Sequence, residues 1–173
     1  MTLACPSELI TVRRATLSDF AAVTRLRNQL IAGGRARRPD FFRPAVLGTT
    51  EALFQALLSE PEVAIHAAEI DGTVVGCAIV WTGTQGGHDW GFPQRVAFIR
   101  ELVVDRDYHR RGVARALVAA VEAKAHHDVV EEVALFVDET NVEAQAFYER
   151  VGLTSQSQYR HKLIRSVRRM EQG

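Results

Sequence analysis

The sequence predicts an α/β fold, a mixed sheet covered by helices on both faces, and three observations predict it. The elements follow one another in the order β-α-α-β-β-β-α-β-α-β. The central strand candidates are nearly continuous apolar runs, as a sheet buried on both sides requires. The 173 residues are 47% hydrophobic, which suits one ordinary globular domain, taken as residues 1–173 with a core over about 10–164 and a tail over 165–173.

Leu9 to Arg13 is a short β-rich run, and Thr16 or Ser18 caps a helical stretch through Leu30. Gly33-Gly34 is expected to stop that helix. A loop rich in arginine and phenylalanine runs to Pro44, and Thr49 or Thr50 caps a second helix that carries Leu53, Phe54, Leu57 and Leu58 and ends near Pro61. Val63 to Glu69 and Thr73 to Trp81 flank Asp71-Gly72, so they read as a β-hairpin. A glycine-rich loop with Trp90 is expected over Thr82 to Pro93, then a strong strand over Arg95 to Val104. His109 to Ala114 forms a glycine turn that opens a helix to about His126, with Val113, Leu117 and Val121 on one face. Val133 to Val137 reads as a buried strand. Thr140 and Glu143 form a capping box for a short helix that presents Ala144, Phe147, Tyr148 and Val151 and ends at Gly152. Ser157 to Ile164 reads as a final edge strand.

Composition excludes several classes of function. Lys plus Arg equals Asp plus Glu at 21 each, which argues against a dedicated nucleic-acid binder, because that affinity needs a positive excess. Only two of the 21 basic residues are lysines, so local arginine runs carry little meaning in this chain. Two cysteines, Cys5 and Cys77, offer neither a disulfide framework nor a CxxC zinc site, and a reducing cytoplasm fits. His66, His88, His126, His127 and His161 show no metal-ligand spacing, so no metal is expected. The N-terminal residues lack a signal-peptide pattern, and no apolar run approaches the roughly 18 to 20 residues that span a bilayer, so neither export nor membrane insertion is expected.

Chemistry concentrates in Glu101 to Leu117, where a buried strand meets a glycine turn at a helix start. A helix N-terminus presents unpaired N–H groups and the positive end of its dipole, and Gly112 lets a ligand approach the backbone, so the turn suits an anionic phosphate. Arg110, Arg111 and Arg115 add charge. The turn is neither a P-loop nor a dinucleotide fingerprint, and taken alone it is a weak signal that reads more readily as an ordinary strand-to-helix connection with solvated arginines.

A second segment, Asn141-Val-Glu-Ala-Gln-Ala-Phe-Tyr-Glu-Arg-Val-Gly-Leu153, joins it. Together they resemble the GNAT (GCN-related) N-acetyltransferase superfamily, whose first motif is Gln/Arg-x-x-Gly-x-Gly/Ala after a strand and whose second is Asn-x-x-Ala-x-x-Phe-Tyr-x-x-x-Gly-Phe/Leu. The likeness runs in element order from about Ile10 to Leu163 and is motif-specific from Phe98 to Leu153. It implies a mixed, mostly antiparallel sheet and an acetyl-CoA-dependent N-acetyltransferase, an acyltransferase that moves groups other than aminoacyl groups. By resemblance His109, Arg110, Arg111, Gly112, Val113, Ala114 and Arg115 hold the pyrophosphate of acetyl-CoA. Backbone of Leu102, Val103 and Val104 pairs with pantetheine and polarises the thioester carbonyl, Asn141 binds the pantetheine side, and Tyr148 sits by the sulfur. His109 departs from the pattern, standing where the family has Gln or Arg.

Strand alternation puts Ile99, Glu101 and Val103 on one face, so a carboxylate stands in an apolar row. It reads as a general base that deprotonates an ammonium of pKa about 10, directly or through water, or else as a carboxylate paired with an arginine or exposed where the strand splays. Tyr148 reads as proton donor to the departing thiolate or as a core aromatic beside Phe147. Direct attack of the amine in a ternary complex is expected, because Cys77 is taken to lie away from the motif residues and Cys5 lies in the N-terminal tail. A non-catalytic acyl-CoA-binding or regulatory domain is the main alternative, and an arginine-rich protein or RNA adaptor a weaker one. Acceptors in view are a small amine, an amino acid, an aminoglycoside or a peptide terminus, with specificity placed in Gly33 to Pro44, Thr82 to Pro93 and the last strand. The exposed final strand and the resemblance suggest a homodimer in the cytoplasm.

Overall fold

The computed structural model describes residues 9–42, 50–87 and 92–156. Its elements are β1 (Thr11–Arg14), α1 (Phe20–Arg37), α2 (Glu51–Ser59), β2 (Val63–Ile70), β3 (Thr73–Gln85), β4 (Gln94–Val104), α3 (Val113–His127), β5 (Glu132–Leu135) and α4 (Val142–Arg150). The strands lie side by side in chain order, with β1 to β4 antiparallel and β5 parallel to β4 through the α3 crossover. Among the described residues no helix is long and apolar enough to cross a membrane.

The apolar run of β3 is explained by two cores. Cys77 and Ile79 face a cluster with Val23 and Leu26 of α1 and Phe54 of α2. Ala78 and Val80 face the opposite cluster, built on Val113, Leu117 and Val121 of α3. The hairpin turn is as expected, with Asp71 and Gly72 both at positive φ (49° and 73°).

Three local expectations are corrected. Helix α1 does not stop at Gly33-Gly34 but runs to Arg37. A Cβ on Gly34 would lie 2.7 Å from the Phe42 ring, so the glycine admits that ring against the helix backbone, and tertiary packing overrides its weak helix propensity. The loop expected over 82–93 is shorter, because Thr82 to Gln85 continue β3 and pair with Ala97 to Gln94. The N-cap of α4 is Asn141, whose side chain accepts from the Ala144 N–H at 3.4 Å, while the Thr140 hydroxyl donates to Asp138 at 2.5 Å. Cys5, His88, Trp90, His161, the strand expected over 157–164 and the tail over 165–173 lie outside the described residues.

Strand β1 is tied down by charge. Arg13 donates to both carboxylate oxygens of Asp19 at 2.7 and 2.8 Å and to Glu69 of β2. That hydrogen-bonded pairing holds the Asp19 carboxyl at about 2, below its ordinary 3.8. A depressed carboxylate contributes stability that is present above its unfolded pKa and lost as pH falls through its folded one. Asp19→Asn is therefore expected to lower stability at neutral pH and to flatten the loss between about pH 4 and pH 2, read by denaturant unfolding at stepped pH. An acid limb identical to the parent's would remove Asp19 from it.

Candidate active site

A β-bulge organises the site. Ile79 pairs with Glu101 and Val80 with Ile99, so Arg100 has no opposite residue on β3. The extra residue inverts the alternation. Ile99 faces the α3 core, whereas Val103 faces α1, and Glu101 reaches α1 as well. The expected shared face of Ile99, Glu101 and Val103 is thus corrected: a bulge breaks the period of two that the expectation assumed.

The Glu101 carboxylate accepts two hydrogen bonds from Arg27 of α1, both at 2.7 Å, in a bidentate pair. Their side chains keep 24% and 22% of their exposure, so the pair is half-buried but reachable from outside. That contact raises the Arg27 pKa. Arg27 is the functional candidate that sequence reasoning missed. Its signal was present, since Val23, Arg27 and Leu30 follow helical spacing and put a charge on the face that packs against the sheet.

Cys77 is not remote from the motif residues, as the sequence reading took it to be. It pairs with Val103, two positions from Glu101 along the same face. Burial, reinforced by the Glu101 charge and opposed by Arg27, pushes its thiol up to about 12. The thiol stays protonated at neutral pH and is a poor nucleophile.

Beyond the bulge the sheet opens. Strand β5 pairs with β4 only from Val96 to Ile99, so among the described residues Arg100 to Val104 has a strand neighbour on the β3 side alone. An unpaired strand edge offers N–H and C=O groups to an extended ligand. His109 takes one of these, its Nε2–H donating to the Val104 carbonyl at 3.0 Å, so the residue that departs from the family pattern braces the turn from within.

The turn itself is anchored to α1. Buried Asp105 pairs with Arg25 and accepts from the Asp107 N–H at 3.3 Å, while Gln29 accepts from the Arg106 N–H. Burial pushes the Asp105 carboxyl up, but Arg25, the Asp107 N–H and the Gln29 side chain outweigh it and leave the pKa lowered. Arg110 and Gly112 both hold positive φ, 61° and 91°. Helix α3 begins directly after, and its first intrahelical bond runs from the Ala116 N–H to the Gly112 carbonyl at 3.0 Å. The preceding N–H groups of the first turn have no intrahelical carbonyl to meet, as at any helix start. Arg110, Arg111 and Arg115 are exposed around them, with the Arg111 guanidinium 4.9 Å from the Tyr108 ring centre. The Val113 side chain is buried, so Val113 offers the site only its backbone.

Helix α4 carries the rest. Arg38 at the end of α1 pairs with Asp138 at 3.3 Å, fastening the segment before α4 to the opposite helix. The Phe147 and Tyr148 rings pack tilted at 59° with centres 5.3 Å apart, and burial raises the Tyr148 pKa, keeping the phenol protonated at neutral pH. Among the described residues no hydrogen bond or ion pair joins Asn141 or Tyr148 to the β4–α3 turn, and Asn141 serves locally as a helix cap.

A sequence profile of the Acetyltransferase (GNAT) family matches residues 31–153. This chain belongs to the GNAT acetyltransferase family. No curated protein matches it. Solved structures share the GNAT fold at low identity. The BH1408 protein of Bacillus halodurans, as a tetramutant, superposes with a TM-score of 0.83 at 21% identity, over 89% of this chain and 99% of that one. An aminoglycoside acetyltransferase from an uncultured soil metagenomic sample, meta-AAC0020 in complex with trehalose, gives 0.70 at 21% over 89% and 94%. The aminoglycoside N-acetyltransferase AAC(6')-Iy in complex with CoA gives 0.70 at 18% over 95% and 99%. In this GNAT chain the first motif falls on the β4–α3 turn and the second on α4 and its cap.

Proposed function

We propose that this protein is an acetyl-CoA-dependent N-acetyltransferase that moves an acetyl group to a primary amine by direct attack within a ternary complex. The observation that carries this reading is the edge of β4 over residues 100–104, which among the described residues has no strand beside it and runs into the α3 N-terminus. The two fit the two halves of one ligand, an amide-bearing arm that hydrogen-bonds like a strand and a diphosphate that suits a helix start. Among the described residues a Cβ at Gly112 would meet only the Ile10 side chain, at 3.7 Å, an ordinary contact that leaves the approach to the backbone open there. Acetyl-CoA, when bound, supplies a thioester already activated for acyl transfer.

The protein's own groups divide the work. Backbone from Arg111 to Arg115, with His109 and Arg110 shaping the turn, holds the pyrophosphate, and backbone of Leu102 to Val104 holds pantetheine and polarises the carbonyl. Asn141 keeps its amide N–H groups for the pantetheine side while its oxygen caps α4. Glu101 takes the ammonium proton, directly or through water, and Arg27 fixes the carboxylate's orientation. The protonated Cys77 thiol supports direct attack over a covalent enzyme intermediate. Two of the similar structures are aminoglycoside acetyltransferases, which keeps a polyamine sugar among the acceptors to be tried first.

Saturating acetyl-CoA is expected to raise the melting temperature, because it binds only the folded chain, and an amine screen read by thiol release should then find turnover. An unmoved transition with acetyl-CoA and with CoA would end the cofactor reading. The bidentate Arg27 contact, which engages both Glu101 oxygens, favours a second reading of acyl-CoA binding without turnover. A thermal shift with no thiol release across the acceptor classes selects it.

Tyr148→Phe is expected to lower turnover by roughly 10-fold or more with little change in CoA affinity, because it removes a half-buried proton donor and leaves the ring packed. Phe147→Leu should cost stability with little direct effect on chemistry. Reversed roles would move the donor assignment off Tyr148.

A further inference from the structure

A cleft of about 180 Å³ opens at the far end of the sheet from the β4–α3 turn. Lys124, on its rim, follows Gly112 by 12 positions along α3, which sets the two ends roughly 18 Å apart. His66 of β2 lies in its floor. Arg14 of β1 stands directly across the ladder from His66, and Arg95 of β4 and Lys124 of α3 complete the basic lining.

His66 is only 8% exposed, and among the described residues neither ring nitrogen hydrogen-bonds to the protein, while neither is sealed from solvent. Both nitrogens therefore remain available to a small hydrogen-bonding ligand in the cleft, in place of water. The ligand's charge follows from the lining. Three cations, Arg14, Arg95 and Lys124, face two carboxylates, Glu62 and Asp128; Lys124 and Asp128 pair with each other and Arg14 also donates to the Val63 carbonyl at 3.1 Å, so the positive excess is that of Arg14 and Arg95 over Glu62. The part of the wall contributed by β3, Val80 and Thr82, carries no charge.

We infer that this cleft is a binding site for a small phosphorylated molecule, its phosphoryl group held by Arg14, His66, Arg95 and Lys124. Donors that line one cleft from four separate elements suit a tetrahedral anion, whose oxygens diverge, better than a planar carboxylate, which one arginine fork satisfies. At about 30 Å³ per water the cleft holds about six waters, enough for a phosphoryl group and a few carbons. The His66 pKa is lowered by burial first and then by Arg14 and Lys124. A bound dianion offsets both cations, so binding and protonation of His66 reinforce each other and affinity rises as pH falls. The site is separate from the proposed acetyl-CoA site and stands without it.

The test uses the full chain with CoA present in excess, so that the α3 N-terminus is not the phosphate site read. The signal is local, the His66 ring resonances in proton NMR, assigned by their loss in His66→Gln. Inorganic sulfate is the tetrahedral probe because its charge stays fixed over the pH range, inorganic phosphate is the second, and acetate is the planar comparison at equal ionic strength. Sulfate and phosphate are expected to shift the ring resonances and raise the apparent His66 pKa. Sulfate should bind about 10-fold tighter near pH 6 than near pH 7.5 and roughly 10-fold tighter than acetate. Arg95→Gln, at an exposed position, should weaken sulfate several-fold without loss of fold. The inference is overturned if the His66 resonances ignore both anions, if acetate binds as well as sulfate, or if Arg95→Gln binds like the parent.

Discussion

Gly112→Asp is expected to abolish the stabilisation by acetyl-CoA altogether. The parent should gain about 2.7 kcal/mol at 100 times Kd, and the variant nothing, because the new carboxylate lies where the pyrophosphate would meet the first N–H groups of α3. Two effects have to be separated. Gly112 sits at φ +91°, a conformation side chains rarely adopt, so any substitution strains the turn. Gly112→Asn carries the same bulk without the charge and tolerates positive φ about as well as any non-glycine residue. It should keep part of the thermal shift that Asp loses. If folded Gly112→Asp binds CoA as the parent does, the turn is not the phosphate site.

The second large effect is expected at Glu101. Glu101→Gln keeps the shape and a hydrogen-bonding oxygen for Arg27 but removes the base, so turnover at neutral pH should fall by roughly 10²- to 10⁴-fold. Activity should recover in part at high pH, where the acceptor arrives already deprotonated. Arg27→Gln supplies the comparison, because it releases the carboxylate without removing it. Under the base assignment the pH-rate profile changes its shape in Glu101→Gln, whereas Arg27→Gln changes affinity and stability more than shape. If both variants only lose stability, with parent rates across the pH range, the pair is a structural tie between α1 and β4.

Much of the candidate site was legible because its parts are local. The glycine turn, the helix it opens and the Asn141 to Leu153 segment are each encoded within a few residues by capping, left-handed backbone and helical spacing, and two such segments sufficed to mark the family. The order of the elements was legible for the same reason, since apolar periodicity acts along the chain. Boundaries were less so: Gly33-Gly34 looked like a stop, and only the Phe42 ring against Gly34 shows why the helix continues.

The sequence by itself determined the element order through α4, the two motifs and the placement of the glycine turn at Gly112. Tertiary structure alone decided the direction in which Glu101 points, because the bulge at Arg100 is a mismatch between two strands and leaves no mark on the period of either. It also chose Arg27 as partner, 74 residues away, where a contact depends on how α1 lies across the sheet. The open edge of β4 is set by where β5 ends, and the cleft at His66 by four strands and helix α3 meeting. Local interactions are written in neighbouring residues, whereas register, facing and partnership arise only when distant segments share the same space.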